Sequence, residues 1–147
     1  MKNLLLILIL LLIFGCQTKM NMNEEQKKII ENYVNSYNKL DVNGMTMDLD
    51  EKVVFENISN EKVDLRTEGI KDFKQQAESA IKYFEERKQT IESWDFRDNK
   101  VFLKIDYKAV LAMDLPNGLK KGDTLKLRGQ SEFEFWDGKI IRIADKS

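Results

Sequence analysis

The sequence predicts a single α+β domain carried behind a short export segment. Three observations predict it. An unbroken apolar run over residues 4–14 follows Lys2 and stops at Gly15-Cys16. Two later stretches repeat apolar residues at helical spacing. Residues 89–146 then alternate apolar and polar side chains between turn signals, the pattern of half-buried strands.

The apolar run is too short for a spanning helix, which needs about 20 residues. A positive start, an apolar core and a small residue before the break describe a secretory signal peptide over residues 1–15. The chain's one cysteine, Cys16, closes Leu12-Ile13-Phe14-Gly15-Cys16. This resembles the bacterial lipobox, whose cysteine is lipidated and becomes the first residue of the mature chain. The resemblance implies a membrane-anchored envelope lipoprotein, with Cys16 carrying a diacylglyceryl group and an N-acyl chain. One acyl chain anchors marginally, at about 0.8 kcal/mol per buried CH₂, so several make attachment effectively permanent. Gln17, not Asp, follows the cysteine, which resembles a passenger bound for the outer membrane.

Loss of the signal removes Lys2 and leaves a net charge of about −2, with no basic footprint for nucleic acid. With Cys16 lipidated, no thiol remains for a disulfide or a thiolate metal site. There is no histidine, which removes the commonest metal ligand and the side chain suited to proton transfer near neutral pH. No carboxylate spacing suggests a metal, and no cofactor is implied.

Residues 16–23 read as the lipidated cysteine and a polar tether, and the domain proper as residues 24–147. Asn23 resembles an N-cap, with Gln26 three residues on and Glu24 and Glu25 in the first turn. Ile30, Tyr33, Val34, Tyr37 and Leu40 then mark a first helix to about residue 40. Asp41-Val42-Asn43-Gly44 breaks it, and residues 45–49 form one further turn. A strand over residues 52–58 carries Val53-Val54-Phe55. Ser59-Asn60 turns it into a return strand over residues 62–66. A second long helix shows Ile70, Phe73, Ala77, Ala80, Ile81 and Phe84 on one stripe, ending near Arg87.

Strands follow over residues 89–96, then through Val101, Leu103, Ile105, Tyr107 and Ala109, then through Leu125, Leu127, Ser131, Phe133 and Phe135, and last through Ile141 and Ile143. Arg97-Asp98-Asn99, Pro116-Asn117-Gly118 and Asp137-Gly138 supply the turns, Asp-Gly being the strongest two-residue hairpin signal. This order, with Asp41-Val42-Asn43-Gly44, Val53-Val54-Phe55-Glu56-Asn57 and Glu68-Gly69-Ile70-Lys71-Asp72-Phe73, resembles the nuclear transport factor 2-like (NTF2-like) superfamily, SnoaL-like branch. The resemblance implies a cone: a bent antiparallel sheet wrapped over the N-terminal and middle helices, open to a pocket, often in a homodimer.

Strand parity and helix periodicity nominate Tyr33, Tyr37, Phe55, Asn57, Phe84, Tyr107, Ser131 and Phe133 as the pocket lining. Ketosteroid-isomerase-like members of the superfamily use a tyrosine on the first helix, an aspartate base on the first strand and a protonated acid on a later strand. Tyr33 or Tyr37 matches the tyrosine. The base position falls on Asn57, which takes up no proton, and the acid position on Gly129-Gln130-Ser131.

The residues therefore favour a non-catalytic module binding a small apolar or amphipathic molecule in a hollow free of ionised carboxylates, with no catalytic residue assigned. A protein-interaction module is an alternative, with Trp94, Phe96 and Trp136 as anchors on the outer sheet face. An isomerase, cyclase or hydratase is another, and it needs a carboxylate in the cavity from Asp48, Asp50, Asp114 or Asp145.

Overall fold

In the computed structural model, residues 2–147 are described, with side chains from Lys19 onward. The signal peptide and Cys16 lie outside the residues whose side chains are described. A long helix α1 (Lys2–Asn38) leads to a short α2 (Val42–Thr46) and the strands β1 (Leu49–Ser59) and β2 (Lys62–Glu68). Helix α3 (Ile70–Ala80) passes through a 3₁₀ turn (Ile81–Tyr83) into β3 (Phe84–Arg97). Then come β4 (Lys100–Leu111), β5 (Thr124–Trp136) and β6 (Lys139–Lys146).

The six strands form one curved open sheet in the order β2-β1-β6-β5-β4-β3. Neighbours are antiparallel except β1 and β6, which run parallel and join the first hairpin to the end of the meander. The helices pack on the concave face over a core that includes Ile30, Val34, Leu49, Val53, Leu103, Phe133 and Ile143. The α+β layout read from element order, and the bent-sheet cone that the resemblance implied, are the architecture found.

The hairpin at Asp137-Gly138 has both residues at positive φ, 49° and 72°, as a type I′ turn demands. Asn60 and Glu61 make the same turn between β1 and β2, with φ of 50° and 63°. At the break after α1, Asp41 accepts a hydrogen bond from the Gly44 amide at 3.0 Å and caps α2.

Four local expectations are corrected. The backbone of residues 17–23 is helical and belongs to α1, so Asn23 does not cap; its Oδ1 is buried without a partner. Nothing in Gln17-Thr18-Lys19-Met20-Asn21-Met22 breaks a helix, and Gln26 Nε2 ties it down by donating to the Asp98 carbonyl at 3.0 Å. The middle helix stops at Ala80, and residues 84–88 are strand. Their helix propensity is overridden because β4 offers the segment a continuous antiparallel ladder.

A bulge between Ile91 and Ser93 then reverses side-chain parity. Trp94 and Phe96 consequently pack against the core, stacked on each other at 5.8 Å, rather than on the outer face. Trp136 alone of the three proposed anchors is exposed, at 71%. The last correction is the parallel junction between β1 and β6 within a sheet expected to be antiparallel.

The outer face carries a ladder of charge. Glu56 on β1 accepts from Arg66 on β2, and from Arg142 on β6 at 2.6 Å. Arg142 also reaches Glu132 on β5 at 3.1 Å, and Glu132 accepts from Lys100 and Lys146 at 3.0 and 3.1 Å. The ladder crosses five of the six strands, and each pair reinforces neighbouring strands.

Candidate functional site

Between the concave sheet face and helices α1 and α3 lies an open cavity of about 650 Å³, the size of small-molecule sites in general. Seven of the residues nominated from sequence line it: Tyr33, Tyr37, Phe55, Asn57, Phe84, Tyr107 and Ser131. Asn57 lies at the exposed rim, near Ser59 and Asp64, rather than in the interior. Phe133 does not line the cavity. It is 1% exposed and packs edge-on behind Tyr33, ring centroids 5.5 Å apart.

The floor is aromatic. Phe55 meets Phe73 edge-on at 5.6 Å, and Tyr37 meets Tyr107 in the same way at 6.5 Å. Burial raises the Tyr33 and Tyr37 hydroxyls well above the ordinary tyrosine range. Next in weight come Asp145 at Tyr33 and Tyr107 at Tyr37. Burial also raises Tyr107. All three are hydrogen-bond donors that keep their protons at physiological pH.

Of the five charged residues that line this hollow, Asp64, Arg128 and Lys146 are exposed at its rim, and the other two change its character. Asp145, near the end of β6, shares the inward face of Ile143 and lines the cavity. Burial pushes its carboxyl up to about 6, against the opposing effect of a hydrogen bond from Ser131 Oγ at 2.5 Å. The expectation of a hollow free of ionisable carboxylates is thereby overturned. Of the other three proposed suppliers, Asp48 accepts from Asn32 at 3.3 Å and Asp50 accepts from the Lys52 amide at 2.8 Å. Asp114 pairs with Lys120 at the exposed β4–β5 tip. None of the three lines the cavity.

Arg87 is the second. It also lines the cavity, is 4% exposed and belongs to β3, not to the end of a helix. Its Nε donates to the Tyr37 carbonyl at 3.1 Å, and its Nη2 to Met45 Sδ at 3.6 Å. The guanidinium lies 3.6 Å from the centre of the Tyr37 ring, a close cation–π contact. Gln89, two residues on, receives a paired contact: Asn38 Oδ1 accepts from its amide at 2.7 Å, and Asn38 Nδ2 donates to its carbonyl at 3.0 Å. That pair pins the end of α1 to β3 and sets Arg87 beneath it.

Sequence reading missed Arg87 because Glu85-Glu86-Arg87-Lys88 favours helix as strongly as any segment here. Asp145 had a signal, since the parity that turns Ile143 inward turns Asp145 inward too. No group of carboxylates able to hold a metal occurs among the described residues.

The comparisons agree with this fold. Similar folds include a proposed polyketide cyclase of Xanthomonas campestris, at TM-score 0.72 and 19% identity, covering 84% of this chain and 90% of the other. A proposed SnoaL-like polyketide cyclase of Jannaschia superposes at 0.70 with 10% identity, over 83% and 84% of the two chains. The proposed hydroxylase AclR of Streptomyces galilaeus does so at 0.67 with 20% identity, over 83% and 87%. No curated protein matches the chain significantly. The sequence profile of the SnoaL-like domain matches residues 30–143, from the first helix of the cone into its last strand, and the chain belongs to that family.

Proposed function

We propose that this chain is an envelope lipoprotein, anchored through Cys16, whose SnoaL-like cavity takes up a small, largely apolar carbonyl compound and moves a proton on it. Asp145 is the base. The observation that carries the reading is this carboxylate, held in the cavity by Ser131 and poised near pH 6 by burial. A carboxylate base works better the nearer its pKa lies to the operating pH, and one raised toward neutrality is matched to the task while still ionised at pH 7. Structural neighbours described as polyketide cyclases fit chemistry of this kind.

In the proposed step, an Asp145 oxygen takes the proton from carbon adjacent to the carbonyl. The C–H electron pair moves to the carbonyl oxygen, where a neutral tyrosine, Tyr33 or Tyr37, donates a hydrogen bond to the growing charge. Return of the proton to another carbon gives an isomer; attack of the enolate carbon on a second carbonyl of the same molecule closes a ring, and the alkoxide so formed takes the proton back from Asp145. No electrons enter or leave. The non-catalytic binding reading drawn from sequence differs only in lacking this step.

The test is exchange of the α-protons of 2-tetralone into D₂O, followed by proton NMR. Wild-type protein is expected to accelerate exchange, and Asp145→Asn to return it to the buffer rate. Equal rates with both proteins would reduce the cavity to a binding site. For the anchor, Cys16→Ala should move the protein from the membrane fraction to the soluble one.

A further inference from the structure

We propose that Arg87 makes one end of the cavity an anion-binding subsite, so that the ligand is an acidic molecule, a planar carboxylate seated on the guanidinium. The inference rests on the cavity being the ligand site and adds the class of molecule it takes.

A guanidinium taken out of water is costly unless a counter-charge meets it. Arg87 is almost wholly buried, yet no carboxylate of the described residues lies within 4 Å of it. Its compensation is partial. The Tyr37 carbonyl near the C-terminal end of α1 accepts from Nε, and the negative end of that helix favours a cation. The Tyr37 ring covers one face, and Met45 sulfur is a weak acceptor for Nη2. Nη1 has no partner among the described residues.

The surrounding hydroxyls do not supply the missing charge, since burial keeps Tyr33, Tyr37 and Tyr107 protonated. Asp145 does not supply it either. Its strand is separated from β3 by β5 and β4, and the shift of its carboxyl comes from burial and Ser131, with no contribution from Arg87. The cavity therefore holds its buried cation at the α1–β3 end and Asp145 at the β5–β6 end, with Asp64, Arg128 and Lys146 exposed at its rim. A planar fork of donors stacked on an aromatic ring suits a carboxylate that slides in along that ring. The same arrangement turns the ligand's neutral end, where a carbon acid would sit, toward Asp145.

The test is titration calorimetry on the full-length protein with 2-naphthoate and 2-naphthamide at pH 8. The acid should bind at least tenfold more tightly than the amide. Arg87→Gln should abolish that preference, read as the ratio of acid to amide affinity in the same variant. In wild-type protein the Arg87 Nε–H resonance should move with naphthoate and stay put with naphthamide, a measurement independent of whether the variant folds. Amide binding as tight as acid binding would overturn the anion subsite and leave the pocket standing. Binding of neither compound at millimolar concentration would overturn both.

Discussion

Ser131 and Asp145 face each other across the β5–β6 ladder, and the serine hydroxyl donates to the aspartate at 2.5 Å. The contact places a charge-accepting group and the donor that restrains it on adjacent strands of the cavity wall. The pair is held by backbone register, so its geometry is as rigid as the sheet. A carboxyl kept this way titrates within the cavity and is not free to swing out to solvent.

The first prediction concerns stability. Burial raises the folded-state pKa of Asp145 to about 6, so the folded chain holds this proton more tightly than the unfolded chain does. The group therefore lowers stability as pH rises from about 4 to about 6, and the whole cost remains above that. Asp145→Asn keeps an acceptor for Ser131 and removes the charge. The variant should be more stable than wild type by up to about 3 kcal/mol at pH 8, and no more stable at pH 3.5. Urea unfolding at the two pH values measures the difference.

A second prediction follows from the hydroxyl. Ser131→Ala withdraws the one interaction that opposes the raised pKa of Asp145. A hydrogen bond to a charged group is worth about 1.5–3 kcal/mol, which corresponds to about one to two pH units. The acid limb of the exchange rate of 2-tetralone should move upward by about that much. An unmoved limb would mean that another group sets the profile.

Gly129 tests the end of β6. A Cβ there would stand 2.5 Å from the Lys146 carbonyl oxygen, closer than atoms tolerate. The neighbour is backbone, so Gly129→Ala must push the strand end away and carry Asp145 with it. A loss of about 1–3 kcal/mol is expected, together with weakened binding of cavity ligands. Thermal unfolding and calorimetry read the two effects.

The outer ladder sets the acid limit. The hydrogen bond from Arg142 holds Glu56 below the ordinary glutamate range, with Arg66 adding to it. At Glu132 burial acts upward, and Lys100 and Lys146 outweigh it. Depressed carboxylates give stability that is present above about pH 4.5 and is lost as pH falls below it. Glu56→Gln and Glu132→Gln should each flatten this acid limb, as urea unfolding above and below that pH will measure.

Most of the fold was legible from local pattern. Alternation over residues 101–109 and 125–135, Asp137-Gly138 at positive φ and the helical stripe from Ile70 to Ala77 are properties of neighbours along the chain. The misread segment, Phe84 to Lys88, is one where local preference and tertiary pairing disagree. The bulge at Ile91–Ser93 is invisible to a count of two, and it sent Trp94 and Phe96 to the core. The cost of the first of those errors was Arg87, which a helix end would have left outside the cavity.

What the sequence by itself determined is therefore the element order, the family and the aromatic character of the hollow, because period and turn chemistry are written in adjacent residues. What only the tertiary structure decided is the polarity of that hollow. Asp145 and Arg87 are 58 positions apart by their numbers and three strands apart in the sheet. Curvature of the sheet brings both to one cavity. The burial that raises the one and leaves the other without a carboxylate is a property of the assembled cone, not of any stretch of chain.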